Sequence, residues 1–280
     1  MKSLRCAHLG FCAVVISLAL IPPTRSVAVV PAPPPGGTNS NPWLDSWSFT
    51  DTNAWKSDLG VAPVSFTNLG VATLPTEGTA LLVDTGSPAW IQFHVNESSG
   101  ATNVNIVSQG SAMFWLSPDW ASSNNTNEVG TGPGVESRIL EAGTFQSNGW
   151  FGILCSSNGN CLYFVTQAST GAAVTNLSVP ITFGSNEWHL IAAEWSTTNS
   201  ALAIDGVVLT NGPGVSTLPG SGVQDFRIGS DATGAKQMRA AISDLTTYSY
   251  PLDPGVISGN FMLYSIFYGP SLPDFTQSVF

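Results

Sequence analysis

From about residue 43 onward, short apolar stretches alternate with polar ones at a period of two. The stretches 44–50, 79–83, 89–95, 111–116, 138–142, 150–154, 161–166, 188–195, 201–204, 207–210, 226–229 and 241–248 each read as a strand, and Gly, Asn, Pro and Asp separate them. No long run with a 3.6-residue period and caps stands out, so the pattern predicts an all-β chain. The clearest single segment is EWHLIAAEWSTTNSALAIDGVVLT, residues 187–210. Two apolar runs flank a Ser/Thr/Asn link there, and a second reversal falls at Asp205-Gly206. That dipeptide accepts positive φ at both turn positions, as a tight two-residue hairpin requires.

The ends read differently. Residues 1–28 carry Lys2 and Arg5, an apolar stretch over 9–21 and the small-x-small site Ser26-Val27-Ala28. This is the layout of a secretory signal peptide, too short for a good membrane span. Residues 29–42 form a Pro/Gly-rich linker, 43–257 the sandwich, and 258–280 a tail without assignment. No later run approaches the length of a transmembrane helix, so the expected mature chain is secreted, extracellular or at the cell surface.

Charge narrows the partners. Cleavage after residue 28 leaves 5 basic residues against 18 acidic ones, a net charge of −13. Such a chain repels nucleic acid and anionic membranes. Charged residues make up only 9% of the sequence, so Ser, Thr, Asn and Gln must keep the strand faces wet. Cys155 and Cys161 remain after cleavage and bracket an Asn158-Gly159 turn signal. Facing each other across a hairpin in an oxidising compartment, they are expected to form a disulfide. Two thiols without a neighbouring His or third Cys make a poor zinc site.

The order of motifs is informative. Trp47-Ser-Phe49 is followed by Gly78-Thr-Ala-Leu-Leu-Val-Asp84, Trp90-Ile91 and Phe114-Trp115. Then come Trp188-His189, Ile204-Asp-Gly-Val207, Ile228-Gly-Ser230 and Ile242-Ser-Asp-Leu-x-x-Tyr248. Over residues 44–257 this resembles the laminin-G-like jelly-roll domains of the concanavalin A-like lectin and glucanase superfamily. The resemblance implies a two-sheet antiparallel β-sandwich that recognises a carbohydrate or an extracellular protein without catalysis. It also implies one structural Ca²⁺ between the first and last strand regions, with Asp244 as the carboxylate ligand and backbone carbonyls completing the shell. The last strand has Ser243-Asp244 where the family often has adjacent acids, one carboxylate fewer.

Candidate catalytic chemistry is thin. Asp84-Thr-Gly-Ser87 resembles the active-site strand of aspartic peptidases, but the dyad needs a second such segment and none is present. A glycosidase on this fold needs clustered carboxylates. Glu187 and Glu194, like Glu136 and Glu141, are spaced to project to opposite strand faces. No nucleophile elbow, phosphate loop or HExxH occurs. His94 and His189 read as packed or hydrogen-bonded strand residues. Trp47, Trp115 and Trp188 fit core positions, and Trp55, Trp120 and Trp150 sit where a ring could stack on a sugar. A purely structural envelope protein is the remaining alternative.

Overall fold

The computed structural model describes residues 43–76, 78–84, 87–145 and 149–269. The chain divides into two units, Met1–Val30 and Pro31–Phe280, and the first lies wholly outside the described residues. The expected signal peptide, the linker over 29–42 and the tail beyond 269 also lie outside them.

Two antiparallel sheets make up the sandwich. Sheet A runs β13(Val207–Pro213), β12(Asn199–Ile204), β11(His189–Trp195), β6(Gly110–Pro118), β15(Ala240–Tyr248), β4(Thr79–Val83) and β3(Gly70–Thr73), with β1(Trp43–Trp47) also paired to β15. Sheet B runs β10(Val174–Pro180), β9(Cys161–Gln167), β8(Gly149–Cys155), β7(Ser137–Thr144), β14(Asp225–Ile228), β5(Trp90–His94) and β2(Ser65–Thr67). This is the expected two-sheet jelly-roll. Every predicted stretch contains a strand or part of one, though 44–50 runs past the end of β1, and β2, β3 and β10 are additional. The Asp205-Gly206 hairpin joins β12 to β13 with φ of 52° and 82°, as the dipeptide predicted.

Alternation sends one side chain of each pair into the space between the sheets. Trp47, Phe93, Phe114, Phe151, Phe164, Ile191, Trp195, Phe226 and Ile242 meet there. Trp47 packs edge-on against Phe93 and Phe226, with centroids 5.3 and 5.6 Å away. Aromatic side chains from β1, β5 and β14 thus bridge the layers.

A helix, α1(Pro254–Tyr268), overturns the expectation of a chain without helices, and it runs past the expected domain end at 257. Its signals are local. Asp253 caps it by accepting the Gly255 N–H at 2.7 Å, Pro254 begins it, and Gly269 closes it in the left-handed conformation. It packs on the outer face of sheet A. Ile257, Phe261 and Tyr268 cover Met113, Trp115, Trp188, Leu190, Ala192 and Ala203 in a second apolar layer. Gly206 leaves room for this: a Cβ there would stand 3.0 Å from that of Phe261.

Candidate functional site

With α1 lying on sheet A, the outer face of sheet B is, among the described residues, the sheet surface without a helix across it. Its rows follow from register. One row crosses Ser65, Gln92, Arg227, Glu141, Gly152 and Val165. Beside it lie Trp90, His94 and Asp225, and farther along the sheet Trp150, Leu154, Tyr163 and Gln167. Trp90 is half-buried, and its Nε1 donates to Ser65 Oγ at 3.3 Å. His94 Nδ1 lies 2.7 Å from Asp225 Oδ1. Tyr163 is half-buried near the other end.

A line of alternating charge runs through this face. Arg227 Nη1 stands 3.8 Å from Glu141 Oε1, and Arg138 Nε donates to Glu141 Oε2 at 3.0 Å. Arg138 Nη1 donates to Glu136 Oε1 at 2.7 Å, and Lys236 Nζ lies 3.9 Å beyond it. The Arg138 guanidinium also sits 5.0 Å over the Trp150 ring. Burial pushes the Glu141 carboxyl up, and Trp150, Arg138 and Arg227 pull part of the shift back. Expecting Glu136 and Glu141 on opposite faces was wrong. A bulge between Arg138 and Leu140 turns both Ile139 and Leu140 into the core and leaves Arg138 and Glu141 on one side. One guanidinium then binds both carboxylates, which makes them an ion-pair network rather than a free acid and base.

The other expected residues separate. Cys155 and Cys161 are free thiols, which corrects the expected disulfide. The reason is register: Cys155 faces Leu162, so Cys161 is one residue out of step and projects to the opposite face. Cys155 is in the core, whereas Cys161 Sγ lies 3.0 Å from Ser178 Oγ on the outside. Trp55 and Trp120 are buried in the core, Trp120 donating to the Met238 carbonyl at 3.0 Å. Trp150 is buried beneath Arg138, so none of these three offers a free ring face. Trp47, Trp115 and Trp188 are buried as expected. His189 Nδ1 lies 2.8 Å from Asp205 Oδ2, and its ring stacks on Phe183 at 3.9 Å. Asp84, at the exit of β4, is exposed beside Asp119, whose carboxyl is pushed up by burial and pulled down by Arg239. Asp84 pushes the Asp119 carboxyl further up through its charge and a side-chain hydrogen bond, while Arg239 Nη2 bonds Asp119 Oδ2 at 3.2 Å and holds it in an ion pair.

Asp244, the expected calcium ligand, has a partner within the chain. It lies at a β15 bulge with φ of 49°, and its carboxylate accepts the Tyr268 hydroxyl. Among the described residues no three acidic, His or Cys side chains gather as a metal site. Asp244 ties the end of α1 to sheet A instead. With that carboxylate engaged by Tyr268, melting curves in excess EGTA and in millimolar CaCl₂ should coincide, while Tyr268→Phe should be less stable in both by about 1.5–3 kcal/mol, the range for a hydrogen bond to a charged group. A calcium-dependent rise that Asp244→Ala removes would restore the metal reading.

These features define a class: a two-sheet antiparallel jelly-roll of the lectin type, with one sheet capped by a helix and the other, among the described residues, without one. The chain belongs to the concanavalin A-like lectin/glucanases superfamily, whose laminin-G-type family model matches residues 89–258. No curated protein matches the sequence. Among solved structures, domain 4 of AbnA, a GH43 extracellular arabinanase from Geobacillus stearothermophilus in complex with arabinotriose, is similar at a TM-score of 0.59 and 12% identity. That match covers 78% of this chain and 98% of that one. The binding domain of Paraclostridial Mosquitocidal Protein 1 is similar at 0.58 and 13%, covering 80% and 52%. The botulinum neurotoxin type G receptor binding domain is similar at 0.55 and 12%, covering 80% and 51%. The chain thus spans about half the length of these two toxin domains. At such identities the likeness is one of fold. Among the described residues no helix is long and apolar enough to cross a membrane.

Proposed function

We propose that this protein is a secreted, non-catalytic binding module that takes a carbohydrate on the outer face of sheet B. The observation that carries this reading is the contrast between the two sheets. Sheet A has its outer face under α1, whereas sheet B leaves Trp90, Gln92, His94, Asp225 and Tyr163 in reach of solvent. Aromatic faces beside hydrogen-bonding groups suit a sugar, which presents an apolar ring face edged with hydroxyls. The arabinotriose in the complex of the structurally similar arabinanase domain supports a saccharide over a protein as the first ligand to try. The ion-pair line beneath holds the floor flat and occupies the carboxylates that hydrolysis would need.

Trp90→Ala should weaken oligosaccharide binding at least tenfold, the loss expected for one stacking platform of about 1.5 kcal/mol, with the circular dichroism spectrum unchanged. Calorimetry with arabino- and gluco-oligosaccharides reads it. No release of reducing sugar is expected from either polysaccharide. Turnover lost in Glu141→Gln would favour a hydrolase, and equal affinity in Trp90→Ala would move the site off this sheet.

A further inference from the structure

Within reach of the charge on Asp253, the cap of α1, stands a buried carboxylic acid that the proposed site does not use. Glu194 projects from β11 to the outer face of sheet A, in a cross-sheet row with Ala201, Ser111 and Tyr248. It is 4% exposed, and its Oε1 has no hydrogen-bond partner. Its surroundings do not answer a charge. Ser111 gives its hydroxyl to the Tyr250 carbonyl at 2.8 Å, and β12 offers only Ala201. Tyr248 and Tyr250, from β15 and its exit, are phenols whose own ionisation burial resists. Asp253, ahead of α1, adds a second negative charge and already fills the helix cap. The sequence after Arg239 contains no Lys, Arg or His. A neutral carboxyl can remain in such a place, and an ionised one is strongly disfavoured.

The trailing end of α1 is held differently. The Tyr268 ring stacks on Trp115 with centroids 4.2 Å apart and planes 9° from parallel, and it leans on Trp188 at 5.1 Å. Its hydroxyl donates to Asp244. One end of the helix is therefore clasped by an aromatic stack and a hydrogen bond, and the other begins at Asp253, whose charge acts on a buried acid.

We propose that α1 is a releasable cover on sheet A whose docking requires Glu194 to be uncharged, so that it seats in mildly acidic surroundings and loosens from its leading end above neutrality. Release would bare the apolar floor of Met113, Leu190 and Ala192 first, and Trp115 and Trp188 last. Burial, then Asp253, pushes the Glu194 carboxyl from an ordinary 4.5 up to about 7. Ionisation on release therefore favours the open state increasingly from pH 4.5 to 7. Linkage between those two values puts the change in docking between pH 5.5 and 8.5 at roughly ten- to thirtyfold.

Hydrogen exchange on the full secreted chain tests this, with rates corrected for intrinsic base catalysis. Protection of residues 254–262 should fall at least tenfold between pH 5.5 and 8.5 with a midpoint near neutrality, while residues 110–118 hold. Glu194→Gln should flatten that profile, and Tyr268→Phe should lower protection at every pH without moving the midpoint. A flat profile in the unmutated chain overturns the proposal, as does an unchanged drop in Glu194→Gln. Should Glu194→Gln fail to fold, the unmutated profile decides alone: a neutral midpoint confined to α1 supports the cover, and its absence overturns it.

Discussion

Replacing Trp195 by alanine should lower stability by about 3–5 kcal/mol, the usual range for emptying a buried aromatic site. Trp195 is fully buried and joins the two sheets. It projects from β11 to pack against Phe151 and Phe164 of sheet B, with centroids 4.9 and 5.9 Å away. Its Nε1 donates to the Asn105 carbonyl at 2.9 Å, so the substitution also strands a backbone acceptor. Neighbours fit closely: a Cβ on Gly110 would come within 2.9 Å of the indole. Domains of this kind hold about 5–15 kcal/mol in all. A loss of this size should depress the melting midpoint by on the order of 10 °C. Trp195→Phe keeps the stack and loses the hydrogen bond, and should fall about halfway. A urea midpoint shifted by less than about 1 kcal/mol in the alanine variant would mean that the core collapses around the gap.

Stability should be greatest in mild acid and decline toward neutral pH. Asp45, on β1, is fully buried with its Oδ2 unpartnered, while Oδ1 accepts the Ser46 N–H at 2.8 Å. Burial pushes its carboxyl up to about 6; Ser46 and Ser57 pull back, and Asp58 and Glu97 push further. The folded state thus holds a proton that the unfolded chain releases near 3.8. The stabilising contribution is complete below 3.8 and is lost as pH rises from there through about 6. A shift of this size corresponds to about 2–3 kcal/mol, and Glu194 adds a second decline between 4.5 and 7. Asp231 works in the opposite sense. Burial opposes its charge, but the Ala235, Lys236 and Thr233 N–H groups and the Thr233 hydroxyl prevail and lower its carboxyl, so its contribution is lost only on further acidification. Urea unfolding at intervals from pH 4 to 8 should show the fall, and Asp45→Asn should remove about half of it. A stability that climbs steadily from pH 4 to 8 would refute the argument.

What was legible in the sequence was what burial on one face imposes. β5 alternates Trp90, Gln92 and His94 outward with Ile91 and Phe93 inward, and that period is visible without a structure. Three edge strands escaped because half of their pattern is missing, whereas β13, equally without a buried residue, was marked by the Asp205-Gly206 turn before it. β2 and β3 have no buried residue, and β10 has only Leu177 and Val179. Helix α1 escaped for the opposite reason. Met262 and Leu263 are exposed while Ile257 and Phe261 are buried, so apolar residues surround it and leave no stripe. Its cap, Asp253-Pro254, and its stop, Gly269, were available as signals. The candidate face was half-legible. Trp90 carried the alternation, but bringing Glu136, Arg138 and Glu141 together depended on one extra residue in β7. The cysteine pairing failed on the same scale, by a single step of register.

That step has a practical outcome. Burial pushes the Cys155 thiol up and seals it in the core, leaving Cys161 half-buried on the outer face of sheet B. Removal of the leader would take Cys6 and Cys12 with it. The native chain then carries one reachable attachment point without engineering. A maleimide dye at Cys161 would sit four strands from Trp90, roughly 19 Å at the usual strand spacing. A label there shares the surface proposed for the sugar yet stands clear of the stacking ring, close enough for its emission to register what settles on it.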